Sequence, residues 1–489
     1  MNDQHRVDYI PVDFDPFAQT EWDAGVPATN SQIEILTACL FGGEDANRSY
    51  NESNSLRLQG HLHRPALQKA LQELVNRHEA LRASFSSDGN YILIGKAYTL
   101  EIAFHDLSML DDVQKDAFLQ TFLQRNANTP FNLQQGPLFR VALFKLAEDL
   151  HHLTLTAHHL VCDGWSFGIL LEELGQLYSA YEKGEESPLP AAPSFLSFAL
   201  EQKKFNRTSR YQEIEQFWID QYKTDVPVLD LPTDFPRPAH RTYTGERLDY
   251  PLPPETANAL KQLGAKAGCS FVTTLLAAFE LFIHKLSGQD KIVMGLPAAG
   301  QPATEHYGLV GHCVNLLPLR SEVDEAMHFP AFLKKQKAVV LDAFDHQLFT
   351  FGSLLQKLPL RRDASRVPLV PVVFNIDMGM DNKVKFSGLT HQKISNPRAF
   401  EAFDLFLNVN GNAESLVFEW SYNTQLFQAT TIQQWMTAFE HLIGEIIRQP
   451  DRPVKDLSLR NSKSVLGLYN RLNSTVAAYP KTTPLHQLI

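Results

Sequence analysis

The sequence predicts a mixed α/β fold with mixed sheets, divided into two halves. Patterns typical of strands and of helices alternate in both halves. A proline-rich break over Leu231–Pro238 follows a linking helical stretch and separates the two sets of elements. The 489 residues, 44% of them hydrophobic, can bury the cores of two or more domains of ordinary size. A loop rich in Gly, Ser and Pro between Gly184 and Pro193 comes before the linking stretch. We expect a first lobe over residues 27–200 and a second over residues 201–465.

The first half begins with a strand predicted over Leu56–Leu62, followed by a helix that Pro65 opens. Two β-type runs, Phe139–Leu146 and Leu153–Ala157, are joined by a polar turn. Together they predict a β-hairpin that ends close to a pair of histidines.

The second half repeats this character. Apolar residues between Val272 and Ile283 recur with a helical period, and Ile292–Gly295 reads as a strand. The run Val370–Ile376 is nearly all apolar, as in a central strand. No short sequence repeat is visible, so any duplication has to be structural.

Composition narrows the classes of partner. A net charge of −11 argues against nucleic acid or an anionic membrane as the main partner. No run of eighteen apolar residues is present, and residues 1–26 read as an acidic, aromatic leader that does not resemble a signal peptide. We therefore expect a cytoplasmic protein.

Four scattered cysteines make disulfides improbable. The last segment, Tyr469–Ile489, loses periodicity.

The segment His158–Gly164 is the most informative part of the chain. Two adjacent histidines are followed at fixed spacing by Asp163 and Gly164, at the end of the predicted hairpin. Such a pattern arises by chance in a chain of this length on the order of a few times in a thousand. Apolar residues then recur at three- and four-residue steps, which predicts a helix, with Ser166 placed to cap its N-terminus.

Successive strand residues face opposite sides, so the two histidines cannot both line one cavity. We assign His159 to the substrate side and His158 to packing, although alternation alone leaves this choice almost even. A lone histidine beside apolar strands is more often a hydrogen-bonded core residue than a catalyst. A metal site formed by the two histidines and Asp163 is disfavoured, because adjacent histidines are poor co-ligands. A hydrolytic triad lacks a marked nucleophile, and Cys162 reads as an apolar filler.

Four segments now point to one family. His158–Gly164, followed by Trp165 and Ser166, resembles the active-site motif of condensation domains of non-ribosomal peptide synthetases, which are relatives of chloramphenicol acetyltransferase. Arg77–Phe85 is similar to the family's Arg-His-Glu-x-Leu-Arg-x-x-Phe segment, and Val310–Asn315 to its Val-Gly-x-x-Val-Asn segment. Arg362–Leu369 is similar to Arg-Asp-x-Ser-Arg-x-Pro-Leu. All four occur in the expected order.

The resemblance implies two acetyltransferase-like lobes in a V-shaped pseudo-dimer with a central tunnel. A donor thioester and an aminoacyl thioester acceptor would enter from opposite sides, each on the 4'-phosphopantetheine arm of a partner carrier protein. The domain itself would bind no cofactor and no metal. Residues 466–489 resemble the linker toward an adenylation domain.

The residues receive roles on the same basis. His159 would accept a proton from the acceptor amine or orient that amine, and we weight the two equally. The backbone N–H of Gly164 is a candidate oxyanion donor. We expect Asp163 to be structural and paired with Arg82 or Arg77, and Asn315 and Ser365 to make contacts between the lobes or to line the tunnel.

Peptide-bond formation is the predicted reaction, with an ordinary condensing domain as the preferred subtype and a donor from a peptidyl or polyketide-type carrier. Two alternatives stay open. One is an acyltransferase that acts on a free alcohol or amine. The other is a catalytically silent recruitment module, which the intact His159 disfavours.

Overall fold

The computed structural model describes residues 22–360, 363–379, 382–412, 415–460 and 473. The first half contains strands β1 (Trp22–Pro27), β2 (Asn51–Gln59), β3 (Ala83–Phe85), β4 (Tyr91–Gly95), β5 (Ile102–Asp106), β6 (Phe139–Ala147) and β7 (Leu150–His158). Its helices are α1 (Asn30–Ser49), α2 (Arg64–Arg77), α3 (Asp112–Asn128), α4 (Gly164–Glu182) and α5 (Phe195–Phe205), with a 3₁₀ helix over Glu79–Arg82.

The second half contains strands β8 (Gly245–Leu252), β9 (Lys291–Ala298), β10 (Asn315–Glu322), β11 (Val372–Met378), β12 (Thr390–Ser395), β13 (Leu405–Gly411) and β14 (Leu416–Asn423). Its helices are α6 (Ser209–Tyr222), α7 (Pro254–Lys266), α8 (Phe271–Ser287), α9 (Gly300–Ala303), α10 (Phe329–Asp345), α11 (Phe351–Lys357) and α12 (Ala429–Arg448), with a 3₁₀ helix over Val454–Asp456.

The described strands form three sheets. A five-stranded sheet has the order β12-β2-β7-β6-β5, a six-stranded sheet has the order β10-β9-β11-β13-β14-β8, and a small sheet has the order β1-β4-β3. Both large sheets contain parallel and antiparallel pairs. The mixed α/β fold predicted from the sequence is confirmed.

Four strands of each large sheet share one topology. In the first half β2 pairs antiparallel with β7, β7 antiparallel with β6, and β6 parallel with β5. In the second half β8, β14, β13 and β11 pair in the same order and with the same directions. The two sets also follow the same order along the chain. The duplication is therefore visible in strand topology, whereas the V-shaped arrangement of the lobes stays a prediction.

Buried apolar side chains of the described residues gather mainly into two large clusters. One lies almost wholly within the second half. The other belongs to the first half but also includes Leu309, Val310 and Cys313, together with Val384, Phe386 and Leu389. Strand β12, which follows the latter group, pairs antiparallel with β2 along its whole length. Two segments of the second half thus complete the core and the sheet of the first, a connection that the sequence did not indicate.

Most predicted elements lie where the periodicity placed them. The hairpin forms β6 and β7 with a turn at residues 148–149, and the run predicted as a central strand forms β11 inside the six-stranded sheet. The strand predicted over Leu56–Leu62 instead spans Asn51–Gln59. Leu62 lies beyond the end of the strand but is buried. Its apolar side chain therefore extended the alternating sequence pattern past the point where the backbone leaves the sheet.

Helix α5 runs across the predicted lobe boundary at residues 200 and 201. The structure describes the predicted leader over residues 1–26 only from residue 22. The predicted linker over residues 466–489 lies outside the described residues except for position 473. In the described part of the chain, no single helix has the length and hydropathy needed to cross a bilayer, although α7 and α8 pass that test as a pair bent by 103°.

Candidate active site

The paired histidines stand at the junction between β7 and α4. His158 is the last residue of β7, and its backbone N–H donates to the carbonyl of Leu138 (3.0 Å). Its side chain is fully buried, and its Nδ1 accepts a hydrogen bond from the Leu160 N–H (3.2 Å). Burial lowers the pKa of His158 to about 3, so this imidazole is neutral. The structure places His158 in the core of the first half.

His159 faces the other way. Its backbone N–H donates to the carbonyl of Tyr50 (2.8 Å), which holds the residue beside the start of β2. Its ring lines a cavity of about 2050 Å³ whose walls come from both halves of the chain. The cavity also contains Gly164 and Trp165 from the motif and Asn315 from the second half. One histidine of the pair therefore faces a cavity that both halves of the chain line.

A second histidine stands behind the ring of His159. Nδ1 of His312 lies 3.1 Å from Nδ1 of His159, and the two rings are nearly perpendicular, with an interplanar angle of 79°. His312 is buried, and burial is the main cause that holds the pKa of its imidazole well below the usual value. The nearby rings of His159 and His158 act in the same direction. His312 is therefore a neutral imidazole.

Asp163 is buried at the centre of a hydrogen-bond network that joins the two halves. Its Oδ1 accepts from the backbone N–H of Ser166 (2.9 Å) and lies 2.7 Å from the hydroxyl of the same residue. Its Oδ2 accepts from the Cys313 N–H (2.9 Å), and the Gln301 side-chain amide lies 3.1 Å from both oxygens. The Ser166 hydroxyl also accepts from the Gly311 N–H (3.0 Å). The motif loop is thereby fastened to the segment that carries His312.

The prediction that Asp163 pairs with Arg82 or Arg77 is wrong. Arg77 forms a salt bridge with Glu173 in the middle of α4, with 2.9 Å between Nε and Oε2. Arg82 donates to the backbone carbonyls of Val75 (2.9 Å), Asn76 and Gly95. Glu173 stands nine residues beyond the first residue of α4, about 14 Å along the helix axis. Arg77 therefore binds the middle of α4 and Arg82 binds backbone carbonyls of α2 and β4, so that neither pairs with Asp163 in the described structure.

Ser166 does not cap helix α4, contrary to the prediction. The helix begins at Gly164, and the preceding Asp163 is its N-cap, whose carboxylate accepts the Ser166 N–H. Asp163 thus does what the sequence assigned to the serine, because a carboxylate reaches the third amide of the helix from the cap position. Trp165 projects into the cavity and donates its indole N–H to the carbonyl of Tyr307 (3.0 Å).

Asn315 and Ser365 were predicted to make contacts between the lobes, but their hydrogen bonds stay within the second half. Asn315 lines the cavity, and its amide donates to the carbonyls of Gln347 (2.8 Å) and Phe349 (2.9 Å). The Ser365 hydroxyl donates to Asp363 (2.5 Å) in its own loop. At the motif loop, Asp163, Trp165 and Ser166 make hydrogen bonds to the second half.

Gly164 lies opposite an acidic residue that sequence reasoning missed. A Cβ atom built on Gly164 would stand 3.3 Å from Oδ1 of Asp377, which enters the cavity from β11. Burial raises the pKa of the Asp377 carboxyl, and Lys393 partly offsets this effect. Any side chain at position 164 would narrow the gap between the motif loop and β11. A Cβ atom there would require the Asp377 carboxyl to shift by a few tenths of an ångström.

His312 and Gln301 were also missed. The signal that could have found His312 is its place inside the Val310–Asn315 segment, at one of the two positions that the family motif leaves open. Nothing in the sequence around Gln301 points to Asp163, because the contact joins residues 138 positions apart. The metal site considered for the motif has no geometric support, since the described residues contain no group of three or more ligating side chains.

The comparisons with known proteins agree with this geometry. A family model described as Condensation domain matches residues 26–466. The chain is 32% identical over 465 residues to surfactin synthase subunit 2 of Bacillus subtilis (strain 168), covering 94% of the chain and 12% of that protein. It is 33% identical over 489 residues to tyrocidine synthase 3 of Brevibacillus parabrevis, covering 100% of the chain and 7% of that protein.

The fold is also similar to that of a solved structure. A variant of the starter condensation domain of rhizomide synthetase RzmA, in complex with C8-CoA and Leu-SNAC, matches with a TM-score of 0.79 and 20% identity. That match covers 89% of this chain and 98% of the solved one, whereas the chain spans only about a tenth of the two synthases named above. The motif, the fold and the family model agree: the chain belongs to the condensation-domain family of non-ribosomal peptide synthetases, whose members form amide bonds.

Proposed function

We propose that this chain joins an acyl or peptidyl thioester donor to an aminoacyl thioester acceptor, each carried on the phosphopantetheine arm of a carrier protein. One observation supports this most directly. The ring of His159 lines a cavity of about 2050 Å³ that both halves of the chain enclose. Two tethered substrates have to meet beside one shared group, and such a cavity offers that place.

At the donor carbonyl carbon, the reaction replaces a bond to sulfur with a bond to nitrogen. The acceptor α-amine attacks the donor carbonyl carbon, the C–N bond forms, and the C–S bond to the donor arm breaks. The proton that the amine loses ends on the departing sulfur, so the products are an amide on the acceptor arm and a free thiol on the donor arm. The amine has a pKa of about 8, so part of it is already neutral at cellular pH.

His159 accepts the amine proton or holds the amine in line with the carbonyl. Gly164 supplies the second part of the site, because its amide belongs to the first turn of α4, where N–H groups lack helical partners. Such an amide can donate to the oxygen of a tetrahedral intermediate. The missing side chain leaves that oxygen room beside Asp377.

The partners follow from the reaction. They are a donor carrier protein of peptidyl or polyketide type, an acceptor peptidyl carrier protein and an adjoining adenylation domain, and the setting is the cytoplasm. Phosphopantetheine reaches the cavity as part of the carriers, and the chain needs no resident cofactor. Neither a nucleic acid nor a membrane takes part.

The test mixes the chain with a loaded donor carrier and a loaded acceptor carrier and follows both by mass spectrometry. We expect the acyl mass to move from the donor to the acceptor carrier. His159→Ala should abolish this transfer, a loss of about a hundredfold or more if the imidazole handles the proton. Its melting temperature should match that of the unmodified chain, because the ring faces a cavity.

His61→Ala is the matched control, since this histidine is exposed. Its transfer rate should be unchanged. Full transfer by His159→Ala would refute the assignment of that residue. Turnover with a soluble alcohol or amine, and none with the acceptor carrier, would favour the acyltransferase alternative. A lack of any turnover by the unmodified chain would favour a recruitment module.

A further inference from the structure

We propose that His312 is a positioning residue for His159, acting through a hydrogen bond between the two Nδ1 atoms that leaves Nε2 of His159 directed at the reactants. This inference deepens the proposed function and rests on the role of His159 in it.

The geometry requires a shared proton. The two Nδ1 atoms lie 3.1 Å apart, and the rings are nearly perpendicular at a centroid distance of 5.1 Å. A neutral imidazole carries its proton on one nitrogen only, so a hydrogen bond between two Nδ1 atoms needs one protonated and one bare nitrogen. Of the two possible arrangements, we assign the proton to Nδ1 of His159 and the acceptor role to Nδ1 of His312, so that the partner ring fixes the tautomer of His159 as second groups do for metal-bound and catalytic histidines.

The surroundings hold His312 in place. The backbone N–H groups on either side of it, those of Gly311 and Cys313, donate to Ser166 and Asp163 of the motif loop. The ring is only 4% exposed. His159 and His158 are the titratable groups that act on the His312 ring. Cys313 follows His312 in the chain, and its backbone N–H donates to Asp163. Because burial disfavours its charged form, His312 stays neutral while His159 gains and loses a proton.

A neutral partner has a definite chemical effect. When Nε2 of His159 takes the amine proton, its ring becomes an imidazolium whose Nδ1–H needs an acceptor. Nδ1 of His312 provides a lone pair, with the His312 proton residing on its own Nε2. The positive charge stays on His159, and the proton later passes to the departing sulfur. The arrangement has the logic of a catalytic triad, with an uncharged third member in place of a carboxylate.

The test compares two variants of nearly equal size. His312→Leu removes the nitrogen, whereas His312→Asn keeps an oxygen acceptor close to the position of Nδ1. We expect His312→Leu to slow amide formation between loaded carriers by roughly tenfold, less than the factor of about a hundred or more that general acid–base catalysis commonly supplies. Loss of the acceptor destabilises the imidazolium, so the acidic limb of the pH–rate profile should move to lower pH. His312→Asn should restore most of the rate and the position of this limb.

A second measurement does not depend on activity. In the chain labelled with 15N-histidine, the nitrogen shifts of His159 should report one dominant tautomer, and His312→Leu should mix the two. Equal rates and profiles for the leucine and asparagine variants, or an unchanged tautomer in His312→Leu, would overturn the inference. Failure of the proposed function gives a different result, because the unmodified chain would then show no transfer between the carriers while the tautomer of His159 still depended on His312.

Discussion

At the scale of single residues, Asp163 shows how a buried carboxylate is stabilised without a cation. Four donor groups from three residues surround its two oxygens, and three of the interactions are with Gln301 and Cys313 of the second half. Hydrogen bonds to a charged group contribute more than neutral ones, typically about 1.5–3 kcal/mol each. Asp163 therefore combines an N-cap with a connection between the halves.

Asp163→Ala should lower the melting temperature markedly, with a loss in the free energy of unfolding of about 3 kcal/mol or more. The physical reason is that buried amides of Ser166, Cys313 and Gln301 lose their acceptor. The measurement is thermal unfolding. Asp111→Ala is the matched control, because Asp111 caps α3 at the surface through the same kind of bond to Gln114. It should cost only about 1 kcal/mol. Equal effects for the two variants would contradict the network role of Asp163.

The chemistry of the motif could be predicted from the sequence, whereas its partners could not. Strand alternation separates the environments of His158 and His159, and the spacing of Asp163 places a carboxylate at the loop. The partners of Asp163 lie far away in sequence, and an arginine was the expected choice because it neutralises charge. Amide N–H groups of Ser166, Gln301 and Cys313 donate to the carboxylate instead. No local pattern in the sequence predicts these partners.

At the scale of elements, helix α8 carries a buried acid on an otherwise apolar stretch. Every residue from Thr273 to His284 is buried, and Glu280 is fully so. Its Oε1 accepts a hydrogen bond from the Ser321 hydroxyl (2.5 Å), while its Oε2 is buried without a partner in the described structure. Burial raises the pKa of Glu280 to about 8, partly offset by Ser321. The side chain is therefore neutral over most of the physiological range.

Glu280 should make stability depend on pH. Its pKa rises from 4.5 to about 8 on folding, so the stability that the neutral acid permits is fully present below pH 4.5 and is lost as the pH rises through about 8. Glu280→Gln removes this loss. We expect the variant to melt at a higher temperature than the unmodified chain at pH 8. The difference between the two in the free energy of unfolding should shrink toward pH 5 by roughly 1.4 kcal/mol for each unit of pH.

The exposed Glu255 at the start of α7 provides the control for this experiment. Glu255→Gln should leave the pH dependence of the melting temperature unchanged. A Glu280→Gln variant that gains the same stability at pH 5 and pH 8 would show that Glu280 does not titrate in this window.

Elements with a strong period were predictable. Helix α8 and strand β11 follow directly from their apolar patterns, because both are buried on nearly every side. Strand β12 was not predicted. Its sequence, Thr390–Ser395, is polar and half exposed, and it belongs to the first sheet only because β2 offers an edge for pairing. The pairing of an edge strand depends on what lies opposite it in space, which a local pattern does not record.

At the scale of the whole molecule, the two halves are interlocked at the site and away from it. Phe386 reaches the core of the first half, where its ring lies 5.7 Å from that of Tyr178 in α4. The backbone of Lys385 passes so close to Gly175 that a Cβ there would collide with the Lys385 carbonyl oxygen. Glycine is required by this close approach. Residues 384–389 thus pack against the same helix whose N-terminus forms the active-site loop.

Phe386→Ala should destabilise the first half although the residue belongs to the second. A buried Phe→Ala change costs about 3–5 kcal/mol because it leaves a cavity. We expect a lower melting temperature and faster hydrogen exchange of the α4 amides, measured by mass spectrometry. Phe235→Ala, at a position that is 40% exposed, is the control and should change neither. Unaltered exchange in α4 would contradict the proposed coupling of this segment to the helix.

Strand β12 also bears on how such synthetases can be recombined. A chimera joined at residues 200 and 201 would give the transplanted first half a foreign strand along β2 and foreign side chains in place of Val384 and Phe386. Grafts that keep Leu309–Cys313 and residues 384–395 from the same parent as the first half should preserve the native interface, whereas a single cut between the lobes should yield insoluble or inactive hybrids.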